Sequence, residues 1–344
     1  MTTKIFKITP EDTSNPAISE AAEILRAGGL VAFPTETVYG LGGDAADPSA
    51  AKKIYEAKGR PSDNPLIIHV VRPEDAERYA YTNDAYYRLA EAFMPGPLTV
   101  ILPKKDTVPY ETTGGLDTVA VRCPSHPLAR ALIHAADTAI AAPSANLSGS
   151  PSPSCGTHVI RDLWGRIDAI IDGGECEIGL ESTIVQLKDR EAVLLRPGAI
   201  TADALSCVCE KVTVAPAVTE LLKENERPLS PGMKYRHYAP KIPLVLLEGE
   251  EENVLHFLRR AQNAEKCTIL CYYEELALLR NERLIDIGSE KDLAAQAHTL
   301  FAALRRADEL DCDIIYAHLP PTEGLGLALY NRLIRAAAHT IVHV

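Results

Sequence analysis

Six short segments carry the residue types that bind or polarise small charged molecules. The first runs from Phe33 to Asp44 and reads FPTETVYGLGGD. Thr35 and Thr37 supply hydroxyls there, and Pro34 with Gly40, Gly42 and Gly43 lets backbone come close to a ligand. A tight turn without a ligand fits the same string. No G-x-x-x-x-G-K-S/T occurs in the chain, so a bound nucleoside triphosphate must be held mainly by side chains. The second segment is KGRPSDNPL followed by IIH, with Lys58, Arg60, Asn64 and His69. Lys58 and Arg60 at a helix end would complement the helix dipole. Asn64 and His69 follow in a proline-stiffened stretch, which tilts the pair towards a phosphate clamp. A single histidine at a strand end, such as His69, is more often structural than catalytic. The third segment, TVAVRCP, spans Thr118 to Pro124; Arg122 follows a β run and suits a carboxylate bidentately, or else marks a strand edge. The fourth, AAPSANLSG, puts Ser144 and Asn146 at a turn, where such residues commonly serve turn chemistry alone. The fifth is Leu180-Glu-Ser182-Thr183 and the sixth Leu195-Arg196-Pro-Gly198.

These segments need a frame, and the apolar periodicity predicts a mixed α and β one. Ile18, Ala21, Ala22 and Leu25 recur at helical spacing, and Gly28-Gly29 stops that helix. Leu30 to Phe33 reads as a short buried strand. Asp47-Pro48 opens a second helix that runs towards Lys58. Further strands are expected at Leu66 to Val71, Leu98 to Leu102, Thr118 to Arg122, Ala139 to Ala142, Ala169 to Asp172, Thr183 to Leu187 and Val193 to Leu195. Many of these runs end in Pro, Gly, Ser or Asn, and polar strand ends are common places for a site in α/β proteins. From about Val212 to Pro240 the composition changes, and RPLSPGMKYRHYAPKIP reads as a linker or functional loop. Beyond it, strands and helices alternate from Leu244 to a helix starting near Leu325, the pattern of a small open parallel sheet. The chain thus divides into residues 1–211, a linker at 212–240 and a second domain at 241–344.

Bulk composition narrows the classes. At 344 residues the chain exceeds what one compact core usually holds. Apolar residues make up 46%, which argues against disorder, and aromatics only 6%, so the cores must be aliphatic. The net charge of −12 disfavours a lasting non-specific grip on nucleic acid, which comes from phosphate neutralisation. The eight cysteines form no C-x-x-C pair and suit reduced thiols in a cytosolic protein better than a disulfide scaffold. The opening MTTKIFKITP has no apolar signal region, and no run approaches the roughly 20 residues needed to cross a bilayer.

Together the segments resemble the YrdC-like threonylcarbamoyl-AMP synthases. FPTETVYGLG, KGRP, PGPLT, VAVRCP, APSANLSG, STIV and LRPG stand in that family's order over about residues 15–205. The K-x-R at Lys58 and Arg60 and the S-x-N at Ser144 and Asn146 match its spaced catalytic set. The last third resembles the extra domain of the two-domain members, joined by a linker of the type at Ser230 to Pro240. The resemblance implies an α/β fold: a twisted mixed-sheet domain followed by a smaller Rossmann-like open parallel sheet. It implies one site for ATP, L-threonine and bicarbonate. Threonine's amine and bicarbonate give a carbamate, which attacks the α-phosphate and expels diphosphate. Three negatively charged partners meet, so cationic donors are required, and positioning with charge stabilisation supplies most of the rate.

By the same resemblance Arg122 takes the threonine carboxylate, and Thr35, His69, Ser182 and backbone at Ala142 contact the rest of threonine. Lys58, Arg60, Asn64, Thr118, Ser144, Ser152 and Arg196 contact ATP. Mg2+ enters with ATP, since no carboxylate cage is evident. Tyr238, with Lys234, Arg236 and His237 beside it, belongs to a linker that resembles one folding back over the nucleotide to exclude water, and an exposed basic linker fits the same residues. A separate transferase then moves the threonylcarbamoyl group onto the tRNA adenosine beside the anticodon. Two other classes compete. One is a non-catalytic RNA-binding module, which the charge disfavours. The other is the related adenylate-forming domain of hydrogenase-maturing carbamoyltransferases, whose further domains and zinc-type cysteine spacing are not found here. Gly324 and Gly326 at a helix start are a weak anion signal, and no activity is assigned to the last third.

Overall fold

The computed structural model describes residues 2–220, 237–280 and 282–344. Lys234 and Arg236 lie outside the described residues. The chain divides into two compact units. Described residues 2–148, 152–177 and 181–220 form the first, and 149–151, 178–180 and those from 237 onward form the second.

In the first unit the order is β1 (Lys4–Lys7), α1 (Pro16–Arg26), β2 (Val31–Phe33), β3 (Gly40–Asp44), α2 (Pro48–Lys58), β4 (Ile67–His69), α3 (Asp84–Phe93) and β5 (Leu98–Pro103). There follow α4 (Tyr110–Thr113), β6 (Thr118–Arg122), α5 (Pro127–Ala136), β7 (Ile140–Ala141), α6 (Gly156–Leu163), β8 (Ala169–Asp172), β9 (Thr183–Lys188), β10 (Glu191–Arg196), α7 (Ala202–Ser206) and β11 (Lys211–Val214). The two helices expected from periodicity form for local reasons. Asn15 caps α1 by accepting from Ala17 N, and Pro16 sits at its first position. The helix buries Ile18, Ala21, Ala22 and Leu25 against α5 and the sheet. Asp47 caps α2, and Gly59, at φ 62°, ends it, which leaves Lys58 on its last turn.

The first sheet is mixed, in the order β1-β8-β2-β3-β7-β4-β6-β5-β9-β10-β11. The glycine-rich stretch Gly40–Asp44 is a buried strand of this sheet rather than a ligand-facing turn. It pairs antiparallel with β2 and β7. Its glycines are packing residues. A Cβ on Gly42 would stand 2.7 Å from Ile140 Cγ2 and 2.8 Å from Phe33 Cε1, and one on Gly40 3.3 Å from Ala142 Cβ. At the other edge Glu191–Leu194 of β10 pairs in parallel with Lys211–Val214, so the sheet extends past the change in composition at Val212.

The second unit continues as β12 (Leu244–Glu248), α8 (Glu251–Ala264), β13 (Cys267–Cys271), β14 (Leu284–Asp286), α9 (Leu293–Ala307), β15 (Ile314–His318), α10 (Gly326–Ala336) and β16 (Ile341–His343). All its pairings are parallel, in the order β14-β13-β15-β12-β16. Alternate residues of β12 and β13, with Val254, Leu258 and Ala261 of α8, bury one aliphatic core. No helix among the described residues is long and apolar enough to cross a membrane.

Candidate active site

The site grows from a register. Across adjacent strands His69 of β4 stands opposite Arg122 of β6, and Arg122 opposite Thr99 of β5. Cross-strand partners share a face, so a histidine, an arginine and a threonine make one row. All three are buried. Thr99 Oγ1 lies 2.8 Å from Ser182 Oγ at the head of β9. Arg196, at the end of β10, continues the cluster. Its Nε donates to Ser182 O at 3.0 Å and its Nη2 to Ser182 Oγ at 3.1 Å.

Arg122 is the charge at the centre. Its Nη2 donates to Glu36 Oε1 at 2.7 Å and approaches Thr35 Oγ1 at 3.5 Å. Both ions of the pair are under 5% exposed. The Nε of Arg122 is buried without a hydrogen-bond partner among the described residues. A buried guanidinium N–H left open is costly unless a ligand fills it. Burial, followed by the charge of Arg122, pushes the His69 imidazole down to about 3, so the ring is neutral near pH 7. Its Nδ1 lies 3.3 Å from Ile140 O, which favours the proton on Nδ1 and leaves the Nε2 lone pair to accept. Thr35 is fixed by its own turn, donating to Val38 O at 2.7 Å and accepting from Val38 N at 3.3 Å.

A second cluster forms where α2 meets the turn after β7. Lys58, buried on the last turn of α2, donates to Ser144 O and Asn146 O, each at 2.5 Å. Ser144 Oγ donates to Asn146 Oδ1 at 2.5 Å, and Asn146 Nδ2 to Leu147 O at 2.8 Å. Ala142 N is used within the sheet, donating to Ile67 O. Arg60 reaches Asn64 O at 3.2 Å and Pro65 O at 3.1 Å, so it braces the proline-stiffened segment. Asn64 is buried, and its Oδ1 has no hydrogen-bond partner among the described residues. Ser152 donates to the buried Glu181 carboxylate. Thr118 opens β6 and shares the Arg122 face, two pleats away along the strand, at about 13 Å.

Tyr238 belongs to the second unit. Its ring centroid is 5.3 Å from that of Phe301, with the Arg332 guanidinium 5.5 Å away, and its φ of 63° is unusual for a bulky residue. His237 packs beside it at 5.6 Å between centroids.

Three further residues of these clusters stood in the quoted segments without a role assigned to them. Glu36 sits between the two threonines of the first segment and pairs with a residue 86 positions away. Thr99 closes the row, and Glu181 holds Ser152. A lone carboxylate between two threonines just after a buried strand was the signal available for Glu36. Among the described residues no group of three or more His, Cys, Asp or Glu side chains is placed to hold a metal ion.

The chain is similar to known proteins along nearly its whole length. The Sua5/YciO/YrdC family model, described as telomere recombination, matches residues 23–198. The Sua5 C-terminal model, described as the threonylcarbamoyl-AMP synthase C-terminal domain, matches residues 200–338. A Bacillus subtilis protein named threonylcarbamoyl-AMP synthase is 45% identical over 96% of this chain and 95% of its own length. One of the same name from Pyrococcus abyssi is 43% identical over 94% and 95%. The crystal structure of P. abyssi Sua5 complexed with L-threonine superposes with a TM-score of 0.91 at 41% identity, covering 99% of this chain and all of that one. The chain belongs to the Sua5/YrdC family, in the two-domain form that ends in the threonylcarbamoyl-AMP synthase C-terminal domain.

Proposed function

We propose that the chain joins L-threonine, bicarbonate and ATP into L-threonylcarbamoyl-AMP and diphosphate, the activated precursor for threonylcarbamoyl modification of tRNA beside the anticodon. The observation that carries this is the open Nε of Arg122, buried in a row with a neutral histidine and hydroxyls. Arg122 takes the threonine carboxylate through Nε, while Glu36 holds the other side of its fork and neutralises it when threonine is absent. Thr35, Ser182, the backbone at Ala142 and the Nε2 lone pair of His69 surround the rest of threonine, whose amine and hydroxyl are donors.

The amine and bicarbonate give N-carboxythreonine and water. A carbamate oxygen then bonds to the α-phosphorus, and the bond from that phosphorus to the bridging oxygen breaks as diphosphate leaves with the electron pair. Lys58, Arg60 and Arg196 place positive charge where the phosphates gather, with Asn64, Thr118, Ser144, Asn146 and Ser152 as polar contacts. Thr118 lies far enough from Arg122 to leave room for an extended nucleotide beside the amino acid. Tyr238 keeps its assignment to ATP from the family resemblance alone. Mg2+ comes with ATP on phosphate and water ligands. A cytoplasmic location suits the chain, whose eight cysteines are all free thiols. The product passes to a separate tRNA threonylcarbamoyl transferase, with no lasting nucleic-acid complex.

The test is incubation with ATP, Mg2+, bicarbonate and each amino acid, following diphosphate release and the adenylate by mass. Release that needs both threonine and bicarbonate supports the reading. Release indifferent to threonine sinks it.

A further inference from the structure

We propose that the crevice at the carboxyl edge of the second unit's sheet binds a small organic cation bearing an ammonium or guanidinium group. The position is set by topology. From β12 the chain crosses past β15 to β13, and from β15 it crosses past β12 to β16. The two neighbouring strands therefore send their connections in opposite directions. Open parallel sheets bind ligands outside the carboxyl ends of such strands. A cavity of about 610 Å3 lies there, lined by residues that follow β12, β13 and β15. That volume is in the range of small-molecule sites.

The interior of this crevice is built. His318, the last residue of β15, donates through Nε2 to both oxygens of Glu275, at 2.9 and 3.1 Å. Glu275 is 5% exposed and also accepts from Tyr272 N at 2.9 Å. The Tyr272 ring stacks on His318 with centroids 4.5 Å apart and planes 28° apart. The imidazole is thus pinned at one nitrogen and one face. With Nε2 committed to the carboxylate, Nδ1 is the ring nitrogen left to a ligand in the cavity wall. Nothing in the first unit's row explains why this domain should order a carboxylate, a histidine and a tyrosine together.

Charge selects the ligand. Glu248, Glu251 and Glu290 line the crevice, with no described lysine or arginine among the lining residues. Glu248 also reaches His343 Nδ1 at 2.8 Å on the exposed rim. Carboxylates and aromatic surface repel a phosphate and attract a cation with N–H groups.

Titration of the full chain with agmatine by calorimetry tests this. One saturable site is expected, weakened about tenfold or more in Tyr272→Ala and in Glu290→Gln. Histidine-selective NMR of the unaltered chain, in which agmatine should move the His318 ring signals and leave those of the first unit's histidines in place, guards against variants that fail to fold. Unsaturable binding, or binding unchanged in both variants, means general attraction to a chain of net charge −12 and overturns the proposal. So does saturable binding of inorganic phosphate that Tyr272→Ala abolishes.

Discussion

The two units use the same α/β vocabulary and arrive at opposite electrostatics. In the first, the buried cations Arg122, Lys58 and Arg196 are each tied to a carboxylate, a carbonyl or a hydroxyl. In the second, the strand ends present carboxylates around a pinned histidine. The frame does not decide which charge a site carries; the residues at strand ends do. It also follows that the first site keeps its cations in place before any ligand arrives. Their partners are part of the protein, so binding exchanges one set of oxygens for another.

Removing the central cation should have the largest effect. Arg122→Ala is expected to slow adenylate synthesis by about 100- to 1,000-fold. It should also lower stability by about 3–5 kcal/mol, because Glu36 is left buried and unpaired. Adding Glu36→Gln should restore the melting temperature and leave the rate low. A double variant as unstable as the single one would mean that Glu36 is not the partner that matters. Next comes Lys58→Ala, expected to cost about 100-fold, visible mainly in KM for ATP. Kinetics with each substrate varied separately would check it, and a rise in the threonine KM alone would move Lys58 to the other half of the site.

Protonation gives a graded effect on stability rather than on rate. The folded His69 is depressed to about 3, below its ordinary value near 6.5. Between those values the unfolded chain takes up a proton that the folded chain refuses. The contribution is therefore complete above about 6.5 and is lost as pH falls, at up to about 1.4 kcal/mol per pH unit. Denaturant titrations across this window should show the loss in the unaltered chain and a flatter profile in His69→Gln. Parallel profiles would remove His69 as the cause. The smallest effect is expected from Tyr272→Ala in the second unit, with no measurable change in KM for ATP or threonine. A change there would break the separation drawn between the two sites.

Much of this frame was legible in the residues. Val31–Phe33, Thr118–Arg122 and Ala169–Asp172 form within a residue of where their apolar runs predicted, since short aliphatic runs bounded by turn formers have few other uses. The parallel sheet of the last third followed from strand and helix alternation. Gly40–Asp44 was not legible as a strand. Glycine is depleted from strands in general, and only the neighbours Phe33, Ile140 and Ala142 show why a side chain has no room. The site divides likewise. Arg122 and Lys58 were identifiable by type and place, whereas the Arg122–Glu36 pair joins residues 86 apart and the Thr99–Ser182 contact 83 apart. No local pattern encodes such pairings, because register, not spacing, creates them.

The strand order has a consequence for how the protein comes into being. The row at the heart of the first unit draws on β4, β6, β5, β9 and β10, spread from Ile67 to Arg196. On a ribosome, His69 and Arg122 emerge long before Ser182 and Arg196 exist. Until then β5 has a bare edge where β9 belongs, and β2 one where β8 belongs. Contacts this distant in sequence form slowly and leave open strands exposed meanwhile. The growing chain is thus most vulnerable to sticking during the interval before residue 196 emerges, and no shorter fragment can carry the row.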